Sequence, residues 1–269
     1  MVAHAKPKPQ GQSGNDAEEF VQYYADQSLT PGSRKRLREI RDKVLRVYGA
    51  ADGQTLDVLD VGCGPGVLSA LFAERGHRVM GIDISSSLVR IAEERAKEQQ
   101  LAIDFRVGSA DALPFADASF DVCLSPELLE HVPDWKTCLH ELTRVVRPGG
   151  VLFLTTTNVL CPVQDEFALP GYSWYPDALK RRCIRLALTT RPQWVRHAEY
   201  PAFHWFSFFS LRRELNRLGF RCLDRFDTLD ARGSALRKAV TWSVQHVPGC
   251  RHLGQMLTPY TQLVAIRAT

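Results

Sequence analysis

Between residues 56 and 157, segments with the hydrophobic pattern of a strand alternate regularly with segments that have the pattern of an amphipathic helix. Short apolar runs of strand length are separated by longer segments in which apolar residues recur every three or four positions, the period of an amphipathic helix. The pattern predicts strands at residues 56–61, 77–82, 103–107, 120–124 and 151–156, and helices at residues 67–74, 85–99 and 135–146. Strands that alternate with helices predict βαβ units in a parallel sheet, which binds ligands at the carboxyl ends of its strands.

The flanking segments extend this prediction to the whole chain. Two helices are predicted before the alternation, at residues 18–24 and 33–48; a helix at 210–218, a strand at 220–226, a helix at 234–246 and a strand at 262–267 are predicted after it. We therefore predict a doubly wound, Rossmann-like α/β fold with seven strands, the last of them antiparallel. A disordered tail is predicted at 1–16 and one domain at 17–269, with N-terminal helices at 17–50, a cap insert after the fifth strand at 157–209 and a helical insertion at 227–258.

The composition narrows the class of protein. Lys and Arg total 34 and Asp and Glu total 30, so the net charge is +4, which on average is too small to indicate nucleic-acid binding. No apolar run approaches the roughly 20 residues that span a bilayer. The seven cysteines include no Cys-x-x-Cys pair, so neither a disulfide framework nor a zinc site is indicated. We therefore predict a cytoplasmic protein.

A glycine-rich loop joins the first predicted strand to the first predicted helix. Residues 60–66 read Asp-Val-Gly-Cys-Gly-Pro-Gly, and such glycines let the backbone turn sharply and let a ligand approach closely. The dinucleotide fingerprint would place a third glycine where this chain has Val67, and a P-loop would end in Gly-Lys-Ser/Thr. No basic residue occurs between Asp60 and Arg75. The Asp60 carboxylate at the mouth of the loop therefore suits a cationic ligand better than a pyrophosphate.

Two further acids follow the next two strands. Asp83 closes the second strand, where an acid can accept both hydrogen bonds of a ribose diol. Asp111 follows the third strand and could accept a hydrogen bond from an exocyclic amine such as adenine N6. Carboxylates at three successive strand ends, without a phosphate-binding group, indicate a nucleoside that carries a positive charge.

These motifs, in this order, resemble class I S-adenosylmethionine-dependent methyltransferases. The resemblance rests on the loop at 60–66, Asp83, the Asp-Ala-Leu-Pro-Phe segment at 111–115, Phe120-Asp121 and Arg-Pro-Gly-Gly at 147–150, and it covers residues 33–157 and 210–226. It implies that the loop packs against the methionine moiety of S-adenosylmethionine, that Asp83 holds the ribose and that Asp111 holds adenine. An arginine before the loop is implied to contact the methionine carboxylate; Arg36 matches best, with Arg34 and Arg38 as alternatives. The cofactor-binding residues implied are Arg36, Asp60, Gly62, Cys63, Gly64, Gly66, Asp83, Ile84, Asp111, Ala112 and Ser125.

The segment after the fourth strand carries Glu127, Glu130 and His131. Because Ser125-Pro126 fits a helix start, we predict a short helix with these three side chains on one face. Glu127 could simply stabilise the positive end of the helix dipole while the others face solvent. His131 could instead be a general base for a hydroxyl proton, or all three could bind a divalent cation that polarises the substrate oxygens.

The same segment resembles the Glu-x-x-Glu-His turn of the ubiquinone-biosynthesis O-methyltransferases. In mitochondrial members of that group the matching acids and histidine are associated with magnesium. The resemblance therefore implies His131 as the catalytic base and Glu127, Glu130 and His131 as a Mg²⁺ site. It fades after Thr157, and the cap insert and the 227–258 insertion depart from the pattern of that group.

Aromatic residues are concentrated in the cap insert. Eleven of the 25 aromatic residues lie at 167–209, and no acid occurs from Ala178 to Ala198. The rings could form a satellite core, or they could line a pocket for an aromatic or lipidic acceptor while the arginines at 174–209 reach a membrane surface. Binding of nucleic acid through basic and aromatic residues is disfavoured because no sequence-reading module accompanies them.

The sequence thus predicts transfer of a methyl group from S-adenosylmethionine to a small-molecule acceptor. We expect O-methylation of a phenolic, quinol-like or lipidic hydroxyl, by in-line displacement at the sulfonium methyl group. Three alternatives stay open: an N- or C-acceptor on another small molecule, a NAD(P)-dependent reductase (disfavoured by Val67), and a catalytically silent cofactor-binding module.

Overall fold

A computed structural model describes residues 14–163, 167–194, 202–229, 235–247 and 249–269. The strands in this part of the chain are β1 (Asp57–Val61), β2 (Arg78–Asp83), β3 (Ile103–Val107), β4 (Phe120–Pro126), β5 (Val146–Thr157), β6 (Phe220–Asp224) and β7 (Tyr260–Arg267). The α-helices are α1 (Gly14–Ser28), α2 (Pro31–Tyr48), α3 (Val67–Ala73), α4 (Ser86–Glu98), α5 (Trp135–Arg144), α6 (Asp177–Thr189), α7 (Phe208–Arg217), α8 (Ala235–His246) and α9 (Cys250–Met256).

The strands form one sheet in the order β3-β2-β1-β4-β5-β7-β6. The first five strands pair in parallel, and β7 runs antiparallel to both β5 and β6. The predicted seven-stranded α/β fold with an antiparallel last strand is therefore confirmed. The strand order reverses between β1 and β4, and a sheet of this type binds its ligand in the crevice at that point.

Alternate residues of each strand pack against different layers of helices. On β1, Val58 belongs to the cluster formed with α2 and α3, whereas Leu59 belongs to the cluster formed with α5 and α7. Cys123 and Cys138 lie in the second of these clusters, as expected of cysteines that act as small hydrophobes. The two layers cover the sheet and leave the carboxyl ends of its strands to the loops.

The predicted helix over residues 125–133 is absent. Ser125 and Pro126 continue β4 and pair with Leu154 and Thr155 of β5. Glu127 then adopts a left-handed conformation (φ 56°), and its N–H donates to the Thr155 carbonyl (2.8 Å). The ladder with β5 therefore extends the strand and ends it in a turn, so the prediction that Glu127, Glu130 and His131 share a helix face is wrong.

Several other boundaries differ from the prediction by a few residues. The helix predicted to end at residue 146 ends at Arg144, and residues 148–150 lie within β5, whose register with β4 shifts between Phe120 and Val122. Gly149 has a φ of +77° there, a conformation that glycine adopts readily. Helix α1 begins at Gly14, so residues 14–16 are helical, while the rest of the predicted tail lies outside the described residues. Helix α9 lies in the predicted helical insertion at 227–258, for which only the helix at 234–246 was given bounds.

The cap insert has a small core of its own. Phe167 and Tyr172 stack with ring centroids 4.1 Å apart, and Cys183 and Ala187 of α6 complete the buried cluster. The satellite-core interpretation is therefore correct for these rings, and Trp205 packs against them from the end of the insert. Among the described residues, none of the helices is long and apolar enough to cross a membrane.

Candidate functional site

The glycine loop lies at the carboxyl end of β1 and is tied to β2. The N–H groups of Gly62 and Cys63 both donate to the Ile82 carbonyl, at 2.8 and 3.1 Å. Gly62, Gly64 and Gly66 have φ values of +73°, +51° and +76°, a region that other residues rarely adopt. Burial raises the pKa of the Cys63 thiol, so this side chain is a neutral part of the loop and unsuited to a nucleophilic role.

Asp83 holds the glycine loop in place. One carboxylate oxygen accepts from the Gly64 N–H at 2.8 Å and the other from the Ser85 N–H at 2.9 Å. Burial raises the pKa of Asp83, although these backbone hydrogen bonds act in the opposite direction. The sequence indicated a ribose ligand at this position, but its role in joining the loop to the start of α4 was missed, because only the folded chain brings Gly64 to the end of β2.

Asp60 is a buried carboxylate at the end of β1, and one of its two oxygens has no hydrogen-bond partner among the described residues. Its Oδ2 accepts from the Ser69 hydroxyl at 2.6 Å, whereas Oδ1 has no hydrogen-bond partner among the described residues. Ser125, at the end of the neighbouring β4, is also buried, and its hydroxyl likewise lacks a partner in this part of the chain. Buried polar atoms are normally hydrogen-bonded, so these two atoms fit a ligand that supplies donors and acceptors between the two strands.

Burial, together with the neighbouring Asp83 charge, raises the pKa of Asp60 to about 6. The native state therefore binds more protons than the unfolded state between about pH 4 and 6, and this group lowers stability as the pH rises through that interval. We expect Asp60→Asn to raise the melting temperature at pH 7 and to change it little at pH 4. Thermal unfolding at the two pH values checks this; an equal change at both would contradict titration of Asp60 in that interval.

Helix α1 packs on the glycine loop, and its Tyr24 ring lies next to Gly64. A Cβ on Gly64 would lie 3.4 Å from Tyr24 Cε1, and Arg95 of α4 donates to the carbonyls of Ala25 (3.2 Å) and Pro65 (3.5 Å). Although 43% of the Tyr24 surface is exposed, burial of its hydroxyl, followed by nearby acidic charges, raises its pKa to about 12. Four charged side chains of the cleft act on this hydroxyl: Glu127, Asp83, Arg36 and Asp60. No sequence motif marked Tyr24, because its role depends on how α1 folds back over the loop.

Arg36 reaches the cleft from α2 and pairs with Glu127 through its two terminal guanidinium nitrogens; Nη2 donates to Glu127 Oε2 at 3.4 Å. The side chains remain 50% and 31% exposed. Burial alone would lower the pKa of Arg36, but the ion pair with Glu127 raises it. Of the three arginines that the sequence indicated, Arg36 is therefore the one next to the charged groups of the cleft. Arg38 is exposed, and Arg34 Nε is buried without a partner among the described residues.

Glu127, Glu130 and His131 do not form a metal site. Glu127 is engaged by Arg36, whereas Glu130 is buried and accepts from the Thr156 hydroxyl at 2.8 Å. Within the part of the chain that the structure describes, no group of three or more His, Cys, Asp or Glu side chains could hold a metal ion. The predicted Mg²⁺ site does not fit this arrangement of side chains.

The loop that carries Asp111 and Ala112 is exposed and is anchored to α5. Glu141 accepts from the Leu113 N–H at 2.9 Å, and Arg144 donates to the Leu113 carbonyl at 3.1 Å. Arg144 hydrogen-bonds Glu141 and so lowers its pKa. Ile84 is 76% exposed next to Asp83, an open apolar surface suited to contact a flat ring. The sequence predicted the loop but not these hydrogen bonds to the Leu113 backbone, which join segments about 30 residues apart.

The end of the cap insert packs on the turn that carries His131. The Glu130 carbonyl accepts from the Phe203 N–H (2.8 Å) and the His204 N–H (3.2 Å). Thr157 donates its hydroxyl to the His204 carbonyl at 2.9 Å. His131 is half-buried in this turn, and its N–H donates to the Leu128 carbonyl at 3.0 Å. The end of the insert at residues 202–209 therefore lies against the turn that follows β4.

The sequence of the chain is similar to that of known methyltransferases. Residues 59–154 match a family model described as a methyltransferase domain. The chain is 38% identical over 128 residues to a ubiquinone biosynthesis O-methyltransferase of Rhizobium etli, an alignment that covers 46% of this chain and 52% of that relative. The chain thus spans about half the length of the curated relatives it matches.

Two solved structures show the same fold. The [4+2]-cyclase SpnF has a TM-score of 0.58 at 17% identity, with 98% of each chain covered. An S-adenosylmethionine-dependent methyltransferase from Mesorhizobium loti has a TM-score of 0.52 at 18% identity, with 83% of this chain and 95% of that chain covered. At these identities the likeness concerns the fold, which can carry more than one chemistry.

Proposed function

Because residues 59–154 match a family model described as a methyltransferase domain, we propose that the protein transfers a methyl group from S-adenosylmethionine to a hydroxyl of a small-molecule acceptor. The observation that supports this most strongly is the cradle between β1 and β2. Its glycine loop contains no Lys or Arg, Asp83 holds it, and Asp60 beside it has a buried oxygen without a hydrogen-bond partner among the described residues. Carboxylates without a phosphate-binding group suit a sulfonium nucleoside.

Each part of the cleft would then bind one part of the cofactor. Arg36 would bind the methionine carboxylate, and the loop at 62–66 would lie against the methionine chain. Asp83 and Ile84 would hold the ribose, and Asp111 and Ala112 would hold the adenine. The buried hydroxyl of Ser125, which has no partner among the described residues, would complete the site from β4.

The reaction places few chemical demands on the protein. The methyl group of S-adenosylmethionine is already activated, and its leaving group departs uncharged. The cleft therefore has to align the acceptor oxygen with the sulfur–methyl bond and exclude water. We propose that the cap insert provides this enclosure and that His131, in the turn beneath it, takes the proton from the acceptor hydroxyl.

Replacing His131 with alanine tests its role as the base. We expect turnover to fall about 100-fold, the usual scale of general-base catalysis, while the affinity for S-adenosylhomocysteine stays within about twofold. The assay is methyl transfer by the purified protein, and His140→Ala, at an exposed position on α5, is the matched control. Unchanged turnover in His131→Ala would contradict the assignment.

Transfer of label from methyl-labelled S-adenosylmethionine into the small-molecule fraction of a cell extract tests the activity itself. We expect label in a product whose methyl group is bound to oxygen. Label bound to nitrogen or carbon would indicate the alternative acceptors. Binding of S-adenosylmethionine without any transfer would instead favour the catalytically silent module.

We also propose that the cap insert contacts a membrane surface, because the preferred acceptors include lipidic hydroxyls. Leu179 and Leu188 of α6 are 42% and 52% exposed, and Trp174, which precedes this helix, is 56% exposed. Basic residues of α6 such as Arg185 are exposed as well. Exposed apolar residues with basic neighbours favour binding to anionic lipids. We expect salt-sensitive co-sedimentation with anionic vesicles and little with neutral ones; no binding to either would contradict the proposal.

A further inference from the structure

The ion pair between Arg36 and Glu127 joins two segments that are distant along the chain, α2 and the turn after β4. Both side chains are partly exposed, 50% for Arg36 and 31% for Glu127. Pairs with this degree of exposure contribute little to stability. The pair can therefore open without a large cost when a ligand offers each side chain another partner.

The pair lies beside the glycine loop. Leu128, the residue after Glu127, would be 3.2 Å from a Cβ on Gly62. Tyr24, whose ring lies against Gly64, has Glu127 as the strongest charge acting on its hydroxyl. The Leu128 contact places the turn that carries Glu127 beside the same loop that would hold the methionine end of the cofactor.

The backbone keeps Glu127 in this position. Its left-handed φ of 56° is uncommon for a residue other than glycine, and the hydrogen bond from its N–H to the Thr155 carbonyl at 2.8 Å fixes it to the end of β5. The carboxylate is thus presented to the cleft by the sheet, whereas Arg36 is presented by a helix.

A neutral ion pair favours a ligand that carries both charges. A lone carboxylate could bind Arg36 but would leave Glu127 without its cation, and a lone ammonium would leave Arg36 without its anion. An amino-acid zwitterion supplies a partner to each, so the number of ion pairs does not fall. Opening the ion pair and binding the zwitterion move no proton and break no covalent bond.

We propose that Glu127 binds the α-ammonium group of the cofactor while Arg36 binds its α-carboxylate, so that the pair selects a zwitterionic methionine end. This inference rests on the proposed function, since it takes the ligand to be S-adenosylmethionine. It gives Glu127 a binding role that requires no metal ion.

Calorimetric titrations with three ligands test it: S-adenosylhomocysteine, its analogue without the α-ammonium group, and its analogue without the α-carboxylate. We expect the wild-type protein to bind S-adenosylhomocysteine at least about tenfold more tightly than either analogue. In Glu127→Gln the preference over the analogue without the ammonium group should fall to about twofold, while the preference over the other analogue remains. Arg36→Met should show the reverse pattern.

Glu94→Gln is the matched control, because Glu94 also pairs with an arginine, Arg90, at 3.0 Å, but on the exposed face of α4. It should keep both wild-type preferences. An unchanged preference for the ammonium group in Glu127→Gln overturns the inference, and so does equal binding of all three ligands by the wild-type protein, a comparison that requires no variant to fold. Failure of the wild-type protein to bind any of the three would instead overturn the proposed function.

Discussion

Alanine in place of Gly66 is expected to abolish binding of S-adenosylhomocysteine and to lower the free energy of unfolding by roughly 3 kcal/mol. Gly66 has a φ of +76°, and an added Cβ would lie 2.8 Å from Phe105 Cζ and 2.9 Å from Ala92 Cβ. Phe105 and Ala92 belong to a packed apolar cluster, so neither can move away easily. The loop and the start of α3 would have to shift together, and the cradle would lose its shape.

Gly76→Ala separates the effect of space from the effect of backbone conformation. Gly76 also has a positive φ, +82°, but nothing lies within 4 Å of an added Cβ. We expect this variant to lose only about 1 kcal/mol through backbone strain and to bind the ligand normally. Chemical denaturation and calorimetry of both variants provide the comparison. Equal losses of stability, or normal binding in Gly66→Ala, would contradict the role given to the loop.

Replacing Asp83 with alanine is expected to weaken binding of S-adenosylhomocysteine about 100-fold. Asp83 accepts hydrogen bonds from the N–H groups of Gly64 and Ser85, and hydrogen bonds to a charged acceptor each contribute roughly 1.5–3 kcal/mol. Without the carboxylate both N–H groups lose their acceptor and the loop is no longer tied to the start of α4. The proposed ribose contact would disappear at the same time.

Asp104→Ala is the control for the loss of a carboxylate in the same sheet. Asp104 lies on the neighbouring β3, is exposed and pairs with Arg106 at 2.7 Å. We expect its affinity for S-adenosylhomocysteine to stay within about twofold of wild type. A loss of less than about fivefold in Asp83→Ala, measured in the same titration, would show that this carboxylate is not part of the binding site.

The sheet could be predicted from the sequence because its signals are local. Each buried strand is a short apolar run between turn residues, and the acids Asp60 and Asp83 follow directly from their positions at strand ends. The glycines of the loop could be predicted for the same reason, since their φ values of +73°, +51° and +76° at 62, 64 and 66 are a property of the backbone at those residues.

The errors lie where tertiary contacts decide the structure. Pro126 at an apparent helix start and acids three residues apart indicated a helix. Pairing with β5 instead keeps Ser125 and Pro126 in the sheet, and the chain turns at Glu127. The magnesium prediction failed with it, because Glu127 turns to Arg36 and Glu130 to Thr156. No local pattern indicates that α1 covers the glycine loop.

The cap insert is a second region whose contacts could not be predicted from the sequence. Its aromatic residues could be counted in the sequence, but their partners could not be predicted, because Trp205 packs on Tyr172 across more than 30 residues of chain. The structure assigns several of these rings to a satellite core. Exposed rings such as Trp174 and Phe203 are the ones that remain available to an acceptor or a membrane surface.

Titration of the purified protein with S-adenosylhomocysteine and, separately, with NAD tests the central claim most directly. The account predicts that S-adenosylhomocysteine binds with one molecule per chain and that NAD does not bind, because the loop at 60–66 begins with the Asp60 carboxylate and lacks a phosphate-binding group. Binding of NAD without binding of S-adenosylhomocysteine would contradict it.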